Sequence, residues 1–111
     1  MQTKTLNWNL EVKNSKITVR LKGVLLRDTL LPLWQQRSSF LSFQSRPEQL
    51  EWDLSEIESV DSAGFAFLCD CLNKIGQVNE INVVIMNPPA QLLKLADLFG
   101  LSIWLNKFIK N

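Results

Sequence analysis

Histidine does not occur in this sequence. Its absence removes the commonest general base, the commonest metal ligand and every histidine-dependent triad. Glycine is scarce: Gly23, Gly64, Gly76 and Gly100 stand singly, so no glycine-rich phosphate loop can be assembled. The two cysteines, Cys69 and Cys71, lie two positions apart, and on a helix such neighbours point in different directions. They are expected neither to pair nor to share a metal, which suits a reducing compartment. Apolar stretches are short, far below the roughly 20 residues with which a helix crosses a bilayer. The opening run Met1 to Leu10 carries Lys4, Asn7 and Asn9 and never builds the apolar segment of a secretory signal. The expectation is a cytoplasmic chain with no metal, no cofactor and no acid, base and nucleophile set for catalysis.

A core is nevertheless affordable. Hydrophobic residues make up 46 % and charged residues 21 % of 111, which matches one globular domain spanning residues 1–111. Twelve Lys and Arg offset eleven Asp and Glu, so no basic field exists to attract nucleic acid or an acidic membrane. Glu51, Asp53, Glu56 and Glu58 alternate with apolar residues and read as the solvent side of a strand and its following turn.

Leu6, Trp8, Leu10 and Val12 alternate with polar residues, the period of a strand with one face buried. After a turn at Lys13 to Lys16, Ile17, Val19 and Leu21 repeat the pattern up to Gly23, so an antiparallel hairpin is expected. Asp28 or Thr29 is placed to cap a helix from about Leu30 to Leu41, with Pro32 in its first turn and Leu30, Leu33, Trp34 and Leu41 on one side. Ser42 to Gln49 reads as a loop, and Leu50, Trp52 and Leu54 as a third strand. An apolar helix from Gly64 to about Asn73, a turn at Gly76, a buried strand Ile81 to Met86 and a helix opened by Pro88 and Pro89 follow. In that helix Leu92, Leu95, Ala96 and Phe99 share a stripe, and Gly100 is placed to end it. The tail from Leu101 to Asn111 is compatible with a strand, a short helix or an arm. The four tryptophans, at 8, 34, 52 and 104, are candidate core anchors. Strands alternating with helices connect by crossovers, so the fold class is α/β: an N-terminal hairpin leading into a mixed sheet with parallel strands and helices packed on it.

The segment Val60-Asp61-Ser62-Ala63-Gly64 joins the third strand to the central helix. Asp61 as N-cap accepts from the free N–H groups of the first turn, while Val60 and Phe65 flank it at staple positions. Ser62 then falls at the first helical position, at the positive end of the helix dipole. A hydroxyl there either merely suits a helix start or is a phosphorylation switch. On a helical wheel Phe65, Leu68, Cys69, Leu72 and Ile75 gather on the side that packs on the sheet, and Phe67 points nearly opposite. Asp61, Ser62, Ala63 and Phe67 are therefore a candidate partner-binding patch; the alternative is that Phe67 is covered by the tail or by another helix. Cys69 reads as a core residue and Cys71 as intermediate.

The element order, with the stretch Leu54 to Phe65 that contains Asp61-Ser62-Ala63-Gly64, resembles the STAS domain family of anti-sigma factor antagonists and sulfate-transporter tails. Within it, Leu30-Leu31-Pro32-Leu33-Trp34 together with Val60 to Gly64 is similar to the STAS subunits of Mla-type ABC phospholipid transporters. That resemblance implies a regulatory subunit bound to the cytoplasmic ATPase, and through it the permease, of a system maintaining outer-membrane lipid asymmetry. It also implies partner-binding roles for Asp61, Ser62, Ala63, Gly64, Phe67, Leu31 and Trp34, with no lipid bound by the subunit itself. The other branch of the family implies an anti-sigma factor antagonist switched by phosphorylation of Ser62. Antagonists carry a Gly-Glu-Leu-Asp-like segment where this chain reads Gly23-Val24-Leu25-Leu26-Arg27-Asp28.

Overall fold

The computed structural model describes residues 5–35, 47–77 and 81–110, with side chains of 75–77 left aside. The chain opens on a hairpin of β1 (Leu6–Lys13) and β2 (Lys16–Leu25). Asn14, at φ 57°, supplies the positive φ that a two-residue hairpin turn requires. A short helix α1 (Leu31–Gln35) follows, then β3 (Gln49–Val60), the long helix α2 (Ser62–Gln77), β4 (Asn82–Met86), α3 (Ala90–Leu98), α4 (Ser102–Asn106) and β5 (Ile109–Lys110).

The sheet has the order β1-β2-β3-β4-β5. β1 and β2 are antiparallel, and every later neighbour is parallel. The mixed α/β class expected from the sequence is the one observed. Val19, Leu21 and Leu25 of β2, Leu50, Trp52 and Leu54 of β3, and Val83 and Ile85 of β4 enter one core cluster with Leu33, Phe65, Leu68, Leu72, Leu92, Ala96 and Leu105 of the helices. The opposite sheet face is charged. There Lys16 meets Glu51 at 3.2 Å, Arg20 reaches Glu11 and, at 3.5 Å, Asp53, and Lys22 lies 3.9 Å from Glu56. Glu51, Asp53 and Glu56, three of the four acidic residues read as surface charge, thus partner the basic residues of β2, at the modest gain typical of surface pairs.

Several boundaries differ from the sequence expectation. β3 does not end after Leu54 but runs to Val60, because two register shifts against β2 insert extra residues and reset which side chains face inward. The first is braced by the Asp53 carboxylate, which accepts the Ser55 N–H at 3.1 Å. β2 continues through Gly23 to Leu25. α2 passes Asn73 and holds Gly76 inside its last turn, where a turn residue was expected. Thr29 does not cap α1: its hydroxyl donates to the Val24 carbonyl at 2.7 Å and accepts the Leu26 N–H at 3.1 Å, folding the loop after β2. The expected end of α1 near Leu41, and most of the loop from Ser42, lie outside the described residues. Of the four tryptophans only Trp52 is fully buried.

β1 departs most from its pattern. Leu6 is buried, but Leu10 is 44 % and Val12 70 % exposed, so the apolar face reads as strand and yet is not covered. The described helices leave Leu10 and Val12 of this outer strand exposed. The tail resolves into α4 and the short strand β5, which places Leu105 in the core and lengthens the sheet beside β4. α3 ends as expected at Gly100, at φ 72°: its N–H donates to the Asp97 carbonyl and the Leu101 N–H to that of Ala96, a Schellman closure. Among the described residues no helix is long and apolar enough to cross a membrane.

Gly23 sits at φ 107°, and a Cβ there would overlap the Thr5 carbonyl oxygen, which accepts the Val24 N–H at 2.9 Å. Gly23→Ala is expected to lower the unfolding free energy by about 2–3 kcal/mol through that strain, measured by urea titration. A change below roughly 0.5 kcal/mol would show that the β1 to β2 junction tolerates a side chain.

Candidate functional site

Parallel strands β2 and β3 deliver Leu25 and Val60 side by side at one end of the sheet, and the loop after β2 and the start of α2 meet there. Asp61 joins them. One carboxylate oxygen accepts the Gly64 N–H at 2.9 Å, the capping bond at the third helical position, and the other accepts the Arg27 N–H at 2.9 Å. The Asp61 N–H in turn donates to the Leu25 carbonyl at 3.3 Å. From the other side, Gln91 of α3 accepts the Val60 N–H at 2.7 Å. Burial opposes the charged carboxylate, yet the N–H groups of Arg27, Gly64 and Ala63 together hold its pKa below the ordinary value. Gly64 packs so closely beneath this junction that a Cβ would overlap the Leu25 carbonyl oxygen, so α2 can approach the end of β2 only with glycine at this position.

The helix start is the one expected: Asp61 caps, Ser62 is the first helical residue, and Val60 and Phe65 are both buried at the staple positions. Ser62 is exposed, Asp61 and Ala63 are half-buried and Gly64 is buried. On α1, Leu31 is 60 % and Trp34 37 % exposed.

Phe67 is a correction. It was expected on a solvent-facing patch, but it is 1 % exposed, and its ring packs on Trp34 with centroids 5.8 Å apart at 58°. The wheel placed the sheet-facing stripe correctly at Phe65, Leu68 and Leu72, all buried. It had no means of including α1, which covers the adjacent side of α2 and widens the buried arc. The cysteines exchange roles for the same reason. Cys71 is fully buried, whereas Cys69 is half-buried, and burial pushes its thiol up to about 11, leaving it protonated at neutral pH.

On the other flank of α2 an open groove of about 580 Å³ runs between this helix and the end of α3 with α4. Phe65, Ala66, Cys69, Phe99, Leu101 and Trp104 form its apolar wall, with Ser62, Asp70 and Asn73 as its polar members. Phe99 stacks on Phe65 at 5.9 Å and 14°. It was expected on the buried stripe of α3, but it is 53 % exposed and lines the groove. Sequence reasoning missed the groove because its third wall is the tail; the concentration of apolar residues after Gly100 was the available signal. Ser62 therefore opens on the groove, while Ala63, one step round the helix, lies on the side of Phe67 and Trp34. Among the described residues no cluster of His, Cys, Asp or Glu is arranged to hold a metal.

A hairpin continued by parallel strands, with helices on one face and a capped Asp-Ser-Ala-Gly helix start at the sheet end, defines a STAS-type domain. The same fold is found in the unphosphorylated anti-sigma factor antagonist SpoIIAA, at 18 % identity and TM-score 0.68 over 94 % of this chain and 86 % of that one. An anti-sigma factor antagonist from Mycobacterium paratuberculosis matches at 23 % identity and TM-score 0.68 over 89 % of this chain and 81 % of its own. Likeness at these identities concerns the fold. The sequence is more specific: the chain belongs to the family described as Mlab, STAS domain, whose family model matches residues 8–107. It is 52 % identical over 105 residues to the intermembrane phospholipid transport system binding protein MlaB of Haemophilus influenzae, covering 94 % of this chain and 99 % of the relative.

Two outcomes follow from this geometry. Phe67→Ala empties a closed site between α1 and α2 and is expected to cost about 3–5 kcal/mol in urea unfolding, where an exposed ring would cost almost nothing. Asp61→Asn keeps one acceptor and loses the other, an expected cost of about 1–2 kcal/mol at neutral pH. Because the folded pKa of Asp61 is depressed, its stabilisation is complete above the ordinary value of 3.8 and is lost as the pH falls through the lower folded value. The stability gap between wild type and Asp61→Asn should therefore close on acidification below 3.8, and a gap constant with pH would remove the charge from the argument.

Proposed function

We propose that this protein is a non-catalytic regulatory subunit of an ABC-type phospholipid transport system that maintains outer-membrane lipid asymmetry. It works by docking on the cytoplasmic ATPase subunit and, through it, on the permease. The observation that carries the reading is the 52 % identity to MlaB, which extends over nearly the whole of both chains. The name of that relative, a transport system binding protein, supports a role in association and not in catalysis. The protein then resides in the cytoplasm, peripheral to the inner membrane through its partner.

The docking surface on this reading is built from Leu31 and Trp34 of α1 with Ser62 and Ala63 of α2. The four residues are exposed or half-buried, and two of them are large apolar side chains at the surface. Asp61 and Gly64 hold the two elements in register, and Phe67 supports Trp34 from beneath. A second reading, an anti-sigma factor antagonist released by phosphorylation of Ser62, is favoured by the exposure of that hydroxyl at the helix start. The segment from Gly23 to Asp28, which lacks an acidic residue directly after Gly23, favours the transporter subunit.

The test is co-purification of tagged chain, co-expressed with the ATPase and permease of the host's phospholipid transporter. Wild type and Lys22→Ser, which alters the opposite sheet face, should retain both proteins. Leu31→Asp and Ser62→Arg should weaken binding by about tenfold or more, read by titration against the purified ATPase. Retention of a kinase-like anti-sigma protein in place of the transporter, with phosphate on Ser62, would replace the first reading with the second.

A further inference from the structure

We propose that β1 is a self-complementary edge through which two copies of this chain pair antiparallel, joining their two five-stranded sheets into one. The inference is independent of the docking surface, which lies at the end of β2 and β3 and is left free.

Among the described residues β1 pairs only with β2, and no described strand meets its outer edge along its eight residues. Which groups these are follows from the turn. Lys13 and Lys16 close a two-residue hairpin and form a hydrogen-bonded pair, and antiparallel ladders alternate from there. The odd-numbered residues of β1 thus bond to β2; Thr5, whose carbonyl accepts the Val24 N–H at 2.9 Å, follows the same parity. The N–H and C=O groups of Trp8, Leu10 and Val12 are directed outward.

The side chains of these three residues also share one face, since they stand opposite Leu21, Val19 and Ile17, of which Leu21 and Val19 are buried beneath the helices. Soluble proteins ordinarily blunt an open edge with charge, bulges or a cover. This edge carries charge at Glu11 and Lys13 on one face and on the other leaves Leu10 at 44 % and Val12 at 70 % exposure.

The register centred on Leu10 satisfies backbone and side chains together. With the two-fold axis at Leu10, Trp8 of one copy lies opposite Val12 of the other, so every outward N–H and C=O of the three residues finds a partner and the apolar face is continuous across the junction. On the charged face Asn9 lies opposite Glu11 and Asn7 opposite Lys13, so no like charges oppose one another. Moving the axis to Glu11 sets two carboxylates face to face, and a shift to an odd register sets Leu10 against Glu11. The strand is therefore matched to itself in isologous fashion, as a two-fold interface requires.

The test is sedimentation equilibrium of the full chain over a concentration series. Wild type should reach the dimer mass at high concentration, and Leu10→Lys, which places two ammonium groups at the axis, should raise the dissociation constant by about tenfold or more. Circular dichroism checks that this variant is folded; if it is not, Val12→Lys, at the most exposed position of the edge, carries the same reading. Leu10→Cys in a Cys69→Ser background should cross-link two copies on oxidation, since Cα atoms of a hydrogen-bonded pair lie about 5.5 Å apart, within disulfide reach. A wild type that stays monomeric throughout overturns the proposal and leaves the edge to a strand of another protein. Dimerisation undiminished in the folded lysine variant overturns it equally, as does failure of Leu10→Cys to cross-link.

Discussion

The two oxygens of the Asp61 carboxylate bind backbone N–H groups that are far apart in sequence and belong to different elements. One bond ends the free valence of a helix start, and the other fixes the loop that leads into α1. Without this shared acceptor, α1 and α2 have no common reference at their entry points. With it, the approach of α2 to β2 is set closely enough that only glycine fits at position 64. The packing of Trp34 on Phe67 then follows from the positions of the two helices. A carboxylate suits the task because it accepts on both oxygens without needing a proton, and charge-assisted bonds to N–H are stronger than neutral ones.

The single helical layer divides the molecule into surfaces with different chemistry. One sheet face is a lattice of lysine, arginine and carboxylate pairs across β1, β2 and β3, with exposed basic groups, partly buried carboxylates at Glu51 and Asp53, and a modest contribution to stability. The other face is closed by α2, α3 and α4 over the core and leaves apolar area at its margins: the groove beside Ser62, the outer side of α1 and the uncovered half of β1. The docking surface proposed above draws on the second of these, the outer side of α1 with Leu31 and Trp34. The third is at the opposite margin of the sheet, where strand geometry and not helix packing governs what can attach.

Much of this was legible from residues alone. The alternation of Leu6 to Val12 and of Ile17 to Leu21 marked the hairpin, and Asp61-Ser62-Ala63-Gly64 marked the helix start down to the identity of the cap. Both are local signals, carried by neighbours within a few positions. The errors came where burial depends on a second element. Phe67, which a wheel assigns to solvent, and Cys71, which it makes intermediate, are both fully buried, because a wheel contains no α1. Leu10 and Val12 carry a buried pattern on an edge that nothing described covers. Phe99 sits on the correct stripe of α3 and still borders a groove whose remaining wall is the tail.

The sequence by itself determined the order and type of most elements, the capped start of α2, the exclusion of histidine chemistry and the family. These depend on backbone propensity, capping and composition, which act over a few residues or over the whole chain without reference to its path. Only the tertiary structure decided that Asp61 also holds Arg27, that α1 shelters Phe67, that α4 and β5 complete the core, and which apolar side chains remain at the surface. Those outcomes are set by contacts between segments distant in sequence, and such contacts are specified by the packing of all the elements at once.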